Sequence, residues 1–152
     1  MVDIRIVNPQ DPEIAAIIAF HLSGMAENSP KDSVYALNAS GLSEPAVTLF
    51  GAFQNDKCLS IGALKKLSQT EGEIKSMRTV KSALGQGLGK AILKHIIQVA
   101  GNNELKTLFL ETGTGQSFEA AHHIYETHGF DPCPAFGDYA QSDFNRFFAL
   151  KL

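Results

Sequence analysis

The chain has few features that would direct it to a membrane, to nucleic acid or to an oxidising compartment. No apolar stretch in its 152 residues is long enough to span a bilayer, and its start lacks the basic residues and apolar run of a signal peptide. A net charge of −3 gives no electrostatic attraction to a phosphate backbone or to anionic lipid. The two cysteines, Cys58 and Cys133, lie far apart without metal-ligand spacing. We therefore expect a cytoplasmic protein in a reducing compartment, without metal, nucleic-acid or membrane partners.

The sequence does contain enough apolar residues for one hydrophobic core. Hydrophobic residues make up 44% of the chain and charged residues 19%. No internal repeat, low-complexity segment or linker divides it. These properties predict that residues 1–152 form a single domain.

Hydrophobic periodicity predicts strands that alternate with helices. Apolar residues alternate with polar ones near the start and then recur at helical spacing from Ile14 to about Met25. In chain order we expect a strand at 2–6, that helix, a short helix at 29–41, a hairpin at 46–67, a strand at 73–80, a helix after a glycine-rich loop, a strand at 105–110, a helix at 117–128, a short strand near 130 and a strand at 145–152.

The glycine-rich loop is the most informative segment. It lies between strand 73–80 and the following helix and reads Leu84, Gly85, Gln86, Gly87, Leu88, Gly89 and Lys90. Alternate glycines let successive backbone N–H groups point into one small space, beside the positive end of a helix dipole. The pattern predicts an anion site, most naturally for phosphate or pyrophosphate.

Two common phosphate-binding motifs do not fit this loop. A nucleotide-triphosphate P-loop, G-x-x-x-x-G-K-S/T, would need a glycine where Leu84 stands and a hydroxyl where Ala91 stands. A dinucleotide fingerprint, G-x-G-x-x-G, would need a glycine at Lys90 and a place after the first strand of the fold. We therefore expect the loop to bind some other phosphate compound.

Two segments together resemble the GNAT acetyltransferase superfamily. The loop resembles the signature Q/R-x-x-G-x-G/A, with Gly87 and Gly89 at its glycines and Leu84 in place of Arg or Gln. Residues 121–130 resemble A-x-x-x-Y-x-x-x-G-F, with Tyr125 at the tyrosine. Their order and separation also match, and the resemblance covers most of the chain. The absence of an Arg or Gln side chain at Leu84 should weaken pyrophosphate binding without abolishing it, because backbone amides make most of the contacts.

The resemblance implies both a fold and an activity. The fold would be of the α/β (α+β) class: a mixed, mostly antiparallel central sheet of about seven strands flanked by about four helices, in the order β-α-α-β-β-β-α-β-α-β-β. The activity would be acetyl-CoA-dependent transfer of an acetyl group directly to a primary amine of a small molecule. The match is to small bacterial-type members of loosely defined substrate, and homodimers are common in the family.

The resemblance also assigns residues to the donor. Residues 84–90 would hold the CoA pyrophosphate, and backbone groups of Met77, Arg78 and Thr79 would hold the pantetheine. The asparagine that commonly opens the last helix is replaced by Phe118, which leaves Ser117 to supply that pantetheine contact. The departures at Leu84 and Phe118 support an alternative, a non-catalytic acyl-CoA-binding sensor or regulatory module on the same fold.

Three side chains are candidates for proton transfer. The resemblance places the Tyr125 hydroxyl beside the thioester sulfur, as the acid that protonates the departing thiolate; otherwise Tyr125 is a core tyrosine. Glu73 and Glu111, at the start of one strand and the end of the next, are candidate proton acceptors. Their structural alternatives are a solvated edge residue for Glu73 and a turn cap for Glu111.

The acceptor pocket is predicted from the amino-terminal half. His21, Met25 and Ser33 lie at or after the end of the first helix, and Arg78 lies on the strand that flanks the thioester. Lys75 and Arg78 are either surface charges or groups that steer an anionic part of the acceptor, and Arg78 is the better candidate for that role. Tyr139 would belong to a lid or pocket wall.

Overall fold

The computed structural model of the chain describes residues 2–28 and 37–152. Within them, seven strands form one mixed sheet in the order β1-β2-β3-β4-β5-β7-β6. The strands are β1 (Asp3–Ile6), β2 (Val47–Gln54), β3 (Lys57–Lys66), β4 (Glu71–Thr79), β5 (Thr107–Gly113), β6 (Asp131–Pro132) and β7 (Asn145–Lys151). The helices are α1 (Pro12–Asn28), α2 (Ala39–Leu42), α3 (Leu88–Asn102) and α4 (Glu119–Thr127). The predicted fold class and element order are confirmed.

Several predicted element bounds differ from the structure; β4, for example, begins at Glu71 and not at residue 73. Helix α1 continues to Asn28, past Met25. Only the end of the predicted short helix lies in the described residues, as α2, whose amino end is capped by Asn38 accepting from the Gly41 N–H at 2.9 Å. Strand β5 begins at Thr107, after the buried Leu105, and continues to Gly113, past the predicted end at residue 110. Among the described helices, none has both the length and the apolarity needed to cross a bilayer.

The sheet separates two hydrophobic clusters. Helices α3 and α4 cover one face, where Ile92 and Ile96 pack with Leu108. Helix α1 covers the other face, where Ile17 and Ile18 pack with Ile61. Side chains alternate along each strand, so neighbouring residues of β4 and β5 face different clusters.

Strands β4 and β5, the one parallel pair of this sheet, separate part-way along their length. Pairing runs from Glu71 with Thr107 to Ile74 with Leu110. Beyond these residues β4 stays paired with β3, while β5 stays paired with β7. The result is a gap in the sheet at the carboxyl ends of both strands.

A β-bulge lies in β4 at the start of this gap. Ser76 and Met77 together oppose Gly62 of β3, and Ser76 has a left-handed φ of 57°. A Cβ on Gly62 would lie 2.4 Å from the Met77 sulfur and 2.6 Å from Cγ2 of Ile92, so glycine leaves room here for both side chains. A bulge leaves its extra residue outside the strand ladder. The buried Ser76 hydroxyl has no hydrogen-bond partner among the described residues.

Candidate active site

The gap between β4 and β5 opens into a cavity of about 380 Å³. Helix α1 contributes lining from one face of the sheet, and the start of α3 and helix α4 contribute it from the other. The predicted site residues that line this cavity are His21, Met25, Glu73, Met77, Arg78, Thr79, Leu84, Gly89, Glu111, Ser117, Phe118 and Tyr125. Donor, acceptor and proton-transfer candidates therefore meet in one place.

The rest of the glycine-rich loop lies outside the lining. Gly85, Gln86, Gly87 and Lys90 are exposed, and Leu88 is buried in the core. Gly85 and Gly87 have φ values of 77° and 80°, which other residues rarely adopt, and Gly87 caps α3. The first N–H groups of α3 have no partners within the helix. Their role in holding a pyrophosphate stays a prediction.

Tyr125 projects from α4 towards the gap. Its ring packs near Phe130 and Phe148, with centroids 6.0 Å and 6.3 Å away, and the residue is 8% exposed. Its hydroxyl makes no hydrogen bond within the described residues. Burial, with a contribution from the charge of Glu111, raises the pKa of Tyr125 to about 12. The phenol is therefore protonated at neutral pH and lies close enough to Glu111 to feel its charge.

Helix α4 is fixed to the end of β5 by a buried hydrogen bond. The Nε2–H of His122 donates to the carbonyl oxygen of Gly113 at 2.9 Å. Gly113 also leaves room for the ring of Phe118, which a Cβ there would meet at 2.4 Å. These contacts set the position of Tyr125 relative to Glu111, because the two residues lie on α4 and β5 respectively.

Glu111 is half-buried on the sheet face that α1 covers. Burial raises its pKa to about 7; Glu73 raises it further, while Lys75 and a hydrogen bond from Asn145 lower it. A carboxyl group with that pKa exchanges protons readily near neutral pH.

Glu73 shares this face but is already engaged by other side chains. It is 3% exposed and accepts from Lys75 Nζ at 3.2 Å and from the Tyr139 hydroxyl. Lys75 Nζ also donates to that hydroxyl at 2.6 Å. Glu73 is therefore not a solvated edge residue. Its carboxylate is balanced by an ammonium and a phenol.

Tyr139 is not among the residues that line the cavity. It reaches the site through Glu73 and Lys75, and its neighbour Phe136 stacks on Phe109 of β5 with centroids 4.8 Å apart. The predicted lid or wall role stays a prediction. Ser33 lies outside the described residues.

On the acceptor side, Arg78 lies against α1. Its Nε–H donates to Nδ1 of His21 at 3.0 Å. His21 is 6% exposed, and burial together with the charges of Arg78 and Lys75 lowers its pKa to about 4, so the ring is neutral at pH 7. A neutral imidazole can accept this bond.

Sequence reasoning missed several residues that shape the site. The bulge at Ser76, the Asn145 amide and the burial of Lys75 depend on strand register, which no local pattern reveals. Gly24 of α1, which leaves room for the Arg78 guanidinium, could have been noticed in the sequence, since glycine inside a helix is unfavourable without a packing reason. In the part of the chain that the structure describes, His, Cys, Asp and Glu side chains form no group of three that could hold a metal ion.

Comparison with known proteins identifies the family. A family model described as the acetyltransferase (GNAT) family matches residues 12–130. The chain belongs to the GNAT acetyltransferase family. This acetyltransferase is 43% identical over 141 residues to the uncharacterized N-acetyltransferase YedL of Escherichia coli K12, a match covering 93% of this chain and 89% of that one.

Solved structures share the fold of this GNAT acetyltransferase. One is from Klebsiella pneumoniae and carries the name acyl-CoA N-acyltransferase. It has a TM-score of 0.82 at 25% identity, and the match covers 100% of this chain and 98% of the Klebsiella chain. A GNAT acetyltransferase from Elizabethkingia anophelis, determined with acetyl-CoA bound, has a TM-score of 0.70 at 18% identity. The match covers 99% of this chain and 98% of the Elizabethkingia chain. The predicted N-acetyltransferase class is confirmed.

Proposed function

We propose that this enzyme transfers an acetyl group from acetyl-CoA directly to a primary amine of a small molecule. The observation that carries the proposal is the shared cavity of Glu111 and Tyr125. One is a carboxyl group with a pKa near neutrality and the other a phenol held protonated, and they lie on opposite sides of the gap between β4 and β5. An acid and a base at one cleft suit an acyl transfer in which an amine loses a proton and a thiolate gains one.

The donor side has features that fit CoA. Gly85 and Gly87 adopt left-handed φ, and no atom lies within 4 Å of a Cβ added at either, so the loop has open space beside exposed amides. The bulged segment at Ser76 and Met77 lines the cavity. Acetyl-CoA, when bound, supplies an activated thioester. The bulge amides are suited to donate to its carbonyl oxygen, where negative charge develops.

Glu111 is the better of the two candidate bases. An alkylamine with a pKa near 10.4 is neutral in only about one molecule in 2,500 at pH 7, so a proton acceptor is needed. Both carboxyl groups line the cavity, but Glu73 is buried and hydrogen-bonded by Lys75 and Tyr139, whereas Glu111 is only partly buried. We therefore assign proton removal from the amine to Glu111 and proton donation to the leaving thiolate to Tyr125.

A non-catalytic acyl-CoA sensor is the second candidate, favoured by Leu84 and Phe118. The Leu84 side chain is 62% exposed, and the Phe118 ring packs on Gly113 in place of an amide side chain. A screen of primary amines that follows free thiol release from acetyl-CoA tests the two candidates. Amine-dependent release supports the enzyme, whereas tight CoA binding without release for any amine supports the sensor. A cytoplasmic location, which rests on the composition, and a homodimer, which rests on the family resemblance alone, belong to the same proposal.

A further inference from the structure

Among the residues that the structure describes, no acidic side chain pairs with the half-buried guanidinium of Arg78. Burial lowers the pKa of Arg78. The ion pairs of the described residues join Arg5 to Asp3 and Asp56, and Lys75 to Glu73. Removing a guanidinium from water without a counter-charge is unfavourable, so an unpaired arginine beside a cavity is a favourable place for an anion.

The Arg78 guanidinium nevertheless has a defined position against α1. We call this position the seat; it is formed by Phe20, His21 and Gly24. Gly24 lies within that helix, and a Cβ there would stand 2.9 Å from Nη2 and 3.2 Å from Nη1 of Arg78. Glycine inside a helix costs about 1 kcal/mol relative to alanine, and here its missing side chain provides the room for the guanidinium. His21 fixes Nε, and the Phe20 ring lies 5.4 Å from Cζ. Each of these partners is uncharged, so the seat orients the cation without neutralising it.

We propose that Arg78 binds a carboxylate of the acceptor, so that the substrates are amines that also carry an acid group. The proposal rests on the proposed function and adds the substrate class. Arg78 and Glu111 line the same cavity from β4 and β5 respectively. The acid group of the acceptor would therefore lie towards β4 and its amine towards β5. A guanidinium offers two parallel N–H groups, which match a carboxylate better than a phenol or an amide.

The first test uses matched acceptors. ω-Amino acids of increasing chain length are compared with their carboxamides, because distance from the amine keeps the two amine pKa values similar. The wild-type enzyme should have a much lower KM for the acids. Arg78→Ala should raise the KM of the acids by roughly 10- to 100-fold, the range for hydrogen bonds to a charged group, and should leave the amides nearly unchanged. Arg5→Ala, which removes an exposed guanidinium from the edge strand β1, is the matched control.

The outcomes separate this inference from the proposed function. Equal transfer to acids and amides overturns the carboxylate site and leaves the acetyltransferase standing. If no amine is acetylated, the Nε–H resonance of Arg78 is followed by NMR in the CoA complex during titration with the same pairs. A shift caused by the acids alone supports the site, and no shift overturns it.

The second test alters the seat and leaves the arginine in place. Gly24→Ala should move the guanidinium and raise the KM for acids several-fold, with unchanged or higher thermal stability because alanine favours the helix. Gly101→Ala is the matched control, since it lies in α3 and its added Cβ meets nothing within 4 Å. A Gly24→Ala enzyme with unaltered KM for the acids would show that the seat has no part in binding.

Discussion

Replacing Glu111 by Gln should remove activity and increase stability at the same time. The pKa of this carboxyl group rises from 4.5 to about 7 on folding, mainly through burial. Since the folded pKa is the higher one, stability is greatest below pH 4.5, where the group is neutral in both states. It falls as the pH rises through 7, because the folded state must then hold a partly desolvated carboxylate. The shift corresponds to at most roughly 3 kcal/mol, and partial exposure to water reduces this to about 1–2 kcal/mol. Glu111→Gln should therefore unfold at higher denaturant than the wild type at pH 8, with little difference at pH 4.

The same variant should change the pH dependence of catalysis. Loss of a general base typically costs roughly 10²–10⁴-fold in rate. In the wild type, kcat/KM for an amine should rise through an inflection near pH 7 as Glu111 ionises. In Glu111→Gln that inflection should vanish, and the rate should keep rising towards the pKa of the amine. Glu126→Gln, an exposed carboxylate on α4, is the control. An inflection near pH 7 that survives in Glu111→Gln, or a loss of stability at both pH values, would refute the assignment.

Three further substitutions test the other parts of the site. Tyr125→Phe should lower kcat by roughly 10²–10⁴-fold with the acetyl-CoA dissociation constant and the melting temperature nearly unchanged; a lower melting temperature with kcat preserved would instead indicate a core tyrosine. Gly87→Val should weaken CoA binding by roughly tenfold or more in calorimetry, because the left-handed φ costs a side chain about 1–2 kcal/mol; Gly101→Ala should bind CoA normally, and equal affinity in both would exclude the loop. Tyr139→Phe should reduce the unfolding free energy by about 1–3 kcal/mol by removing a donor from buried Glu73, and unchanged denaturant stability would contradict that contact.

The fold could be predicted because local patterns and the family resemblance agreed. Alternation in β1 and helical spacing in α1 each identify an element, and the two motifs fix the order of the rest. That residues 1–152 form one domain stays a prediction.

The site could be predicted only in part. Tyr125 and Met77 follow from motifs, and the cavity lining includes both. Tyr139, which hydrogen-bonds both Glu73 and Lys75, is 66 positions from Glu73 and 64 from Lys75 in the sequence. Such contacts depend on how a later loop returns to β4, which periodicity does not contain. The difference between the two carboxyl groups, one paired and one with a raised pKa, therefore became visible only in three dimensions.

The alternation of β4 bears on how acceptor choice can evolve. Ile74 faces the α3 cluster, whereas Glu73 and Lys75 face the other side, together with Arg78. Substitutions at positions 73, 75 and 78, on the face of β4 that points away from α3, leave the packing beneath α3 and the glycine-rich loop untouched. The carboxyl-terminal half of α1 and these positions of β4 can therefore vary together while the segments proposed to bind CoA stay unchanged. Relatives that acetylate different amines should differ first at positions 21, 24 and 78, and exchanging those three residues between two such enzymes should exchange their substrates.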